Sequence, residues 1–250
     1  MRNVLVLLLG LITTVPAFAQ QTPRADANVE RAKTHYFRAW DNMRAEAFDV
    51  AAEEFGAAIE LYPKYALAHY GLGRAYMSLR RYNDAIRALS ACSTIYSEQT
   101  SRVFTNQLDA NRQRQDRLME LQDLRTQYSK GPQNAGTADT MRQIDNAIRM
   151  TGNAFDRGQN VSIETPVPSF VSLSLGSAYF RSERFDEAEH QYRAAINADA
   201  KAGEAHNNLA VILMMKAQYA DALAELKAAE KAGFRVNPEL KDQIKNRMSQ

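Results

Sequence analysis

Histidine is the side chain best suited to proton transfer or metal binding near neutral pH, and this 250-residue sequence has four: His35, His69, His190 and His206. None stands in an H-x-x-x-H or H-E-x-x-H spacing, so no helical turn offers two ring nitrogens to one metal ion. Cys92 is the single cysteine; it has no C-x-x-C partner, forms no disulfide within the chain, and is expected to act as a small buried hydrophobe. No G-x-S-x-G elbow presents an activated serine, and no Asp or Glu pair is placed by a recognisable motif. One stretch does suggest a ligand. "GLGRAYMSLRRYNDAIRAL", Gly71 to Leu89, opens on a G-x-G, which after a strand would begin a phosphate-binding loop. Whether Gly71 and Gly73 cradle a phosphate or mark close packing depends on whether the stretch recurs.

It does recur. "SLGSAYFRSERFDEAEHQY" from Ser174 to Tyr192 sets Gly176 opposite Gly73, and "NLAVILMMKAQYADALAEL" from Asn208 to Leu226 is a weaker copy. Upstream, "AFDVAAEEFGAAIELYPKY" supplies the second half of another. These residues resemble the tetratricopeptide repeat, a helix-turn-helix unit of about 34 residues. In that register the copies run Ala32 to Tyr65, Ala66 to Gln99, Ser169 to Ala202 and Gly203 to Val236. The aromatic that opens the second helix is Phe48, Tyr82, Phe185 and Tyr219, followed by the small crossing residue Ala51, Ala85, Ala188 and Ala222. One turn later come Phe55, Leu89, Tyr192 and Leu226, and then Ala58, Cys92, Ala195 and Ala229. Alanine at a crossing lets two helix axes approach while the large neighbour fills the wedge, so this face is expected to be buried. Gly73 and Gly176 read as packing marks, and Gly71 is expected on the groove side. His35, His69 and His206 share the fourth position of a first helix, which makes them structural; His190 stands alone beside Glu187 and Glu189 as a solvated residue.

The composition agrees with an all-α chain: 45% hydrophobic, 24% charged, few Gly and Pro, and a net charge of +2 with no block of like charge to suggest nucleic acid or an anionic membrane. Residues 1–19 read as a secretory signal peptide. Arg2 gives the positive start, Val4 to Val15 the apolar run, and Ala17-Phe18-Ala19 the small-residue site, with no cysteine after it for a lipid anchor. An exported chain, periplasmic or secreted after cleavage near Ala19, without membrane insertion, is the expectation. Residues 32–99 and 169–236 form the two repeat pairs. The first repeat departs from the family at Arg38, Ala39 and Asn42, and only Pro63 keeps the closing proline, replaced elsewhere by Ser97, Ala200 and Phe234. Between the pairs, residues 100–168 do not match the repeat. Ser101 to Tyr128 lacks Gly and Pro and reads as one long helix, apolar at Phe104 and Leu108 and again at Leu118, Leu121, Leu124 and Tyr128, and polar all round at "DANRQRQDR". "SKGPQNAG" breaks it, and Met141, Ile144, Ile148 and Phe155 mark a second amphipathic helix. The simplest picture is a protruding hairpin with "RGQNVSIETPVP" as its loop back. Residues 237–250, with Asn237-Pro238 at the start and Leu240, Ile244 and Met248 in a stripe, read as a capping helix.

The resemblance implies a protein-protein interaction module or adaptor, not an enzyme. It needs no cofactor or metal, and it takes a protein or peptide in a concave groove lined by first helices, scaffolding an envelope or secreted complex. Mapped residue by residue, the groove positions are Lys33, Tyr36, Trp40, Met43 and Arg44; Tyr70, Arg74 and Met77; Phe180 and Arg181; and Asn207, Met214 and Met215. Aromatic rings, Arg and Met are enriched at interfaces. The same residues would also serve to pack neighbouring repeats or the hairpin, and Trp40, the sole tryptophan, suits either a binding hot spot or burial. The Lys/Asn/Arg clamp by which some relatives hold a C-terminal carboxylate does not carry over: Tyr36, Trp40, Gly71 and Phe170 occupy its positions. The alternative from another class is a homodimer formed through the helices of residues 100–155.

Overall fold

An alanine at each helix crossing and an aromatic at each second-helix start set the frame of the molecule. The computed structural model describes residues 23–101, 107–156 and 167–248, and the regular structure in them is all helical. In chain order the helices are α1 (Pro23–Arg44), α2 (Phe48–Leu61), α3 (Ala66–Ser78), α4 (Tyr82–Ser101), α5 (Gln107–Ser129), α6 (Ala135–Asp156), α7 (Ser169–Arg181), α8 (Phe185–Ala198), α9 (Gly203–Met215), α10 (Tyr219–Lys231) and α11 (Pro238–Met248). The signal-peptide reading of residues 1–19 falls outside the described residues. So do Phe104 and most of the return loop, residues 157–166.

The second helix of every repeat begins on its aromatic: Phe48, Tyr82, Phe185 and Tyr219. Ala51, Ala85, Ala188 and Ala222 are fully buried, as are Phe55, Leu89 and Leu226, while Tyr192 is 1% exposed. Each turn between paired helices holds one residue in the left-handed region: Glu46, Arg80, Glu183 and Ala217, at φ of 59°, 58°, 63° and 59°. The next amide reaches back to close the first helix, Ala47 N to Asn42 O at 2.9 Å, Arg81 N to Tyr76 O at 2.9 Å, Arg184 N to Tyr179 O at 3.0 Å and Gln218 N to Leu213 O at 2.9 Å.

The glycines answer the opening question. A Cβ on Gly73 would lie 2.5 Å from Leu89 Cγ, and one on Gly176 2.7 Å from the Tyr192 ring, so both are points of close helix approach. Gly71 differs from its expected place on the groove side. It is buried under the Phe55 ring of the preceding repeat, which a Cβ would strike. The G-x-G therefore packs one glycine inside its own repeat and the other against its neighbour.

The two repeat pairs form one continuous stack, because α4 packs directly on α7 as α2 packs on α3 and α8 on α9. Residues 107–156 are thus an insertion in an unbroken solenoid. Lacking a closing proline at Ser97, α4 continues to Ser101, and the long helix expected from Ser101 to Tyr128 is described from Gln107 onward, as α5. The α5–α6 hairpin does not protrude. Leu121, Leu124, Tyr128 and Ile144 join the core of the first repeat pair and α7. The polar run of α5 is not solvated all round either: Ala110 is fully buried, and Arg114 and Arg117 are 3% and 4% exposed, the Arg117 guanidinium lying 4.5 Å from the Tyr96 ring centre. Leu108 at the start of α5 is exposed. A second core runs through α8, α9 and α10 to α11, where Ile244 is fully buried, Leu240 partly buried, and Met248 left exposed at the end of its stripe.

Candidate functional site

The groove positions of the first repeat pair are engaged by the chain itself. Tyr36 is fully buried, its ring edge-on to Phe37, Trp40 and Phe55 at centroid distances of 5.4, 6.4 and 6.0 Å. Trp40 packs between Phe55 at 5.8 Å and Tyr128 of α5 at 5.5 Å. Tyr70 is fully buried, edge-on to Phe170 at 5.1 Å, with its hydroxyl 2.8 Å from that of Tyr128. The Arg74 guanidinium sits 5.8 Å from the Tyr128 ring centre, and Arg44 Nη1 donates to Gln127 Oε1 at 3.1 Å. Met77 is partly buried against the same core. α5 thus covers these positions, and Tyr128 is the residue that meets Trp40, Tyr70 and Arg74. Burial pushes the Tyr36 and Tyr128 hydroxyls well above the usual tyrosine range, so neutral phenols stand beside the Arg74 guanidinium.

A polar clasp closes the other side of the hairpin. Arg142 of α6 donates to Asp199 Oδ2 at 2.8 Å, to Asp139 Oδ1 at 2.9 Å and to the Lys201 carbonyl. Ser169 Oγ donates to Gln143 Oε1 at 2.8 Å, and the amide of Glu204, at the start of α9, donates to Asp139 Oδ2 at 3.3 Å. Burial, then the nearby Asp139, raises the Glu204 carboxyl, which Arg74 partly offsets. Tyr128, Gln127 and Arg142 are contacts between the hairpin and the repeats that sequence reasoning missed. The apolar cluster ending at Tyr128 was the available signal for the first of them.

The second pair is more open. Arg181 is exposed, Met215 is 52% exposed, and Asn207 is half-buried with its amide on Asn208 Oδ1 at 3.3 Å. Phe180 and Met214 are partly buried on the second core, Phe180 edge-on to Phe185 at 5.5 Å. The structure therefore brings Tyr36, Trp40, Arg44, Tyr70 and Arg74 together around one helix end, while Arg181, Asn207 and Met214 lie outside that cluster.

The histidines behave as repeat positions. His35 Nδ1 meets Glu54 Oε2 at 2.6 Å, and His206 Nδ1 meets Glu225 Oε2 at 2.6 Å, each pair bridging the two helices of one repeat. His69 Nε2 and His206 Nε2 also bond the carbonyls of Pro63 and Ala200 at 3.0 and 3.2 Å, tying the preceding turn. Cys92 is fully buried and burial pushes its thiol up, away from reactivity. Among the described residues no three His, Cys, Asp or Glu side chains converge as metal ligands, and no helix is long and apolar enough to cross a membrane.

Residues 42–98 and 173–234 each match a sequence model of the tetratricopeptide repeat. No curated protein matches the chain. Similar solved structures include PilW, described as a widely conserved type IV pilus biogenesis factor, at 16% identity over 87% of this chain and 86% of that one, with a TM-score of 0.41. TTC0263, a thermophilic tetratricopeptide-repeat protein of Thermus thermophilus, is 16% identical over 88% of this chain and all (100%) of that one, at a TM-score of 0.34. YrrB, described as having an unusual peptide-binding site, is 16% identical over 91% and 100%, at 0.31. No residue role is carried over from any of them.

Proposed function

From a chain that carries tetratricopeptide repeats on both sides of a helical insertion, we propose an exported adaptor that holds a protein or peptide partner on its concave surface and so scaffolds an envelope or secreted complex. The repeats matched at residues 42–98 and 173–234 support the reading as a protein-interaction module, and export, scaffolding and the place of binding are the further parts of the proposal. The observation that carries it is the seating of α5. A groove that takes one amphipathic helix end in cis, through Trp40, Tyr70 and Arg74, has the shape and chemistry of a helix or peptide receptor. With that half filled, the open remainder lies on the second pair, around Arg181, Asn207, Met214 and the exposed Met215. The mechanism is positioning, without chemistry on the partner. Self-association through α5 and α6 has less support, since Leu121, Leu124 and Ile144 are fully buried within one chain.

The test is photo-crosslinking in the native host from position 181 or 215, compared with position 221 on the opposite helix of the repeat, together with cell fractionation and sequencing of the mature N-terminus. A discrete protein adduct from the first two positions only, on a chain cleaved near Ala19 and found outside the cytoplasm, is expected. An uncleaved cytoplasmic chain would refute export. Equal adducts from all three positions would refute the groove.

A further inference from the structure

The α5–α6 hairpin covers the first groove without being built into the stack. α4 packs directly on α7, so the solenoid is continuous without residues 107–156. α5 packs helix on helix with α6 alone, and α6 only grazes α7 and α9, so the hairpin meets the repeats mainly through the ends of long side chains. Those ends are the Tyr128 hydroxyl on that of Tyr70, Gln127 on Arg44, and Arg142 on Asp199 and the Lys201 carbonyl. The face that α5 lays down is mixed: beside Leu121, Leu124 and Tyr128 it buries Arg114, Arg117 and Gln127. Seating it strips water from ionisable groups, since burial lowers the Arg117 guanidinium and raises the Glu120 carboxyl to about 8. Permanent interfaces are predominantly apolar, whereas one that buries charge loses much of its gain to desolvation and is suited to exchange.

We propose that the hairpin is an exchangeable internal ligand: it holds the first groove shut, and a partner helix carrying the pattern Leu-x-x-Leu-x-x-x-Tyr takes its place over Trp40, Tyr70 and Arg74. This rests on the reading of the chain as a protein-binding adaptor and names the helix that its closed half accepts. The pattern is that of the occupant in place: Leu121, Leu124 and Tyr128, three and then four residues apart, share one helical face. Trp40, Tyr70 and Phe170, the rings around Tyr128, belong to α1, α3 and α7, so the groove keeps them when α5 leaves. Closure competes with the partner. The apparent affinity is the intrinsic one reduced by the fraction of chains that are open, so every change that loosens the hairpin tightens partner binding. Arg142 is the point of control, because its bonds to Asp139, Asp199 and the Lys201 carbonyl fasten α6 away from the groove rings.

The test titrates the full chain and two variants of it, Arg142→Ala and Tyr128→Ala, with a fluorescein-labelled peptide of residues 114–130, read by anisotropy. The native chain should bind weakly and each variant about tenfold more tightly, the opposite of what losing a contact does to an ordinary site. The same peptide with alanine in place of its tyrosine should bind about tenfold more weakly. Unlabelled peptide, which contains no tryptophan, should return the Trp40 emission of Tyr128→Ala to shorter wavelength and so place itself in the first groove. No gain over the native chain in variants with native circular dichroism, or equal binding of the two peptides, would overturn the exchange. A variant that dimerises by light scattering and takes no peptide would do the same, giving the groove to the hairpin of a second copy. Partner crosslinks at positions 181 and 215 that persist while the peptide fails would leave the adaptor standing and remove only the internal ligand.

Discussion

If α5 seats on the groove through Tyr128, then Tyr128→Ala must unseat it, and the sole tryptophan reports the event without interference. Tyr128 is 7% exposed, packs 5.5 Å from Trp40, shares a 2.8 Å contact with the Tyr70 hydroxyl and lies under Arg74. Deleting a buried aromatic ring costs about 3–5 kcal/mol in a rigid core, and less where water can enter from a rim. Tyr128 lies next to the end of α5 and keeps a partly exposed rim, so about 3 kcal/mol is the fitting figure, including the penalty for the orphaned Tyr70 hydroxyl. That corresponds to a shift of about a hundredfold in the docking equilibrium. Trp40 is only 6% exposed in the native chain. Its emission should therefore move to longer wavelength and become open to acrylamide quenching, while far-ultraviolet circular dichroism keeps its helical form. Tyr128→Phe keeps the ring and removes one hydroxyl, so it should cost about 1–2 kcal/mol and leave the emission nearly native. An unchanged Trp40 spectrum and unchanged denaturation in Tyr128→Ala would refute the seating of the hairpin.

Two glycines should respond in opposite directions. Gly71→Ala drives a methyl into the fully buried Phe55 ring and should destabilise by about 1–3 kcal/mol, whereas Gly56→Ala meets nothing within 4 Å on α2 and should stabilise by about 0.5–1 kcal/mol through helix propensity; urea denaturation measures both. His206 is raised above its ordinary value of 6.5 by the hydrogen bond to Glu225, helped by Ala200 O and the nearby Asp199 and opposed by burial. A raised folded-state value means that its contribution is full below the unfolded value and fades as pH rises through the folded one. The stability advantage of the native chain over His206→Gln should therefore be larger at about pH 5.5 than at about pH 9; an advantage that grows with pH would reverse the assignment.

The repeats were legible in the sequence because their packing is local and periodic. Ala51, Ala85, Ala188 and Ala222 recur at one position of the unit, and each is fully buried against a helix a few residues away in the chain. The covering of the groove has no such period. It is made by Arg44 with Gln127 and Tyr70 with Tyr128, 83 and 58 residues apart, and by an α5 whose middle reads as solvated in any window. Arg114 and Arg117 are buried there, Arg117 with its guanidinium over the Tyr96 ring, an arrangement that residue polarity conceals. Gly71 misled for a related reason, since its neighbour Phe55 belongs to the preceding repeat and the fit is between units.

One signal did point to a covered groove. Tyr36, Trp40 and Tyr70 fall on groove positions with Phe170 beside them, more ring surface than a solvated face carries, while the second pair offers Arg181 and Asn207 instead. The difference between the two halves of one solenoid is thus already a difference in what each half touches. The first half is closed by the chain's own α5 through the rings of Trp40, Tyr70 and Tyr128. Loss of the hairpin would therefore open an aromatic groove in the first half and leave the second half as it is.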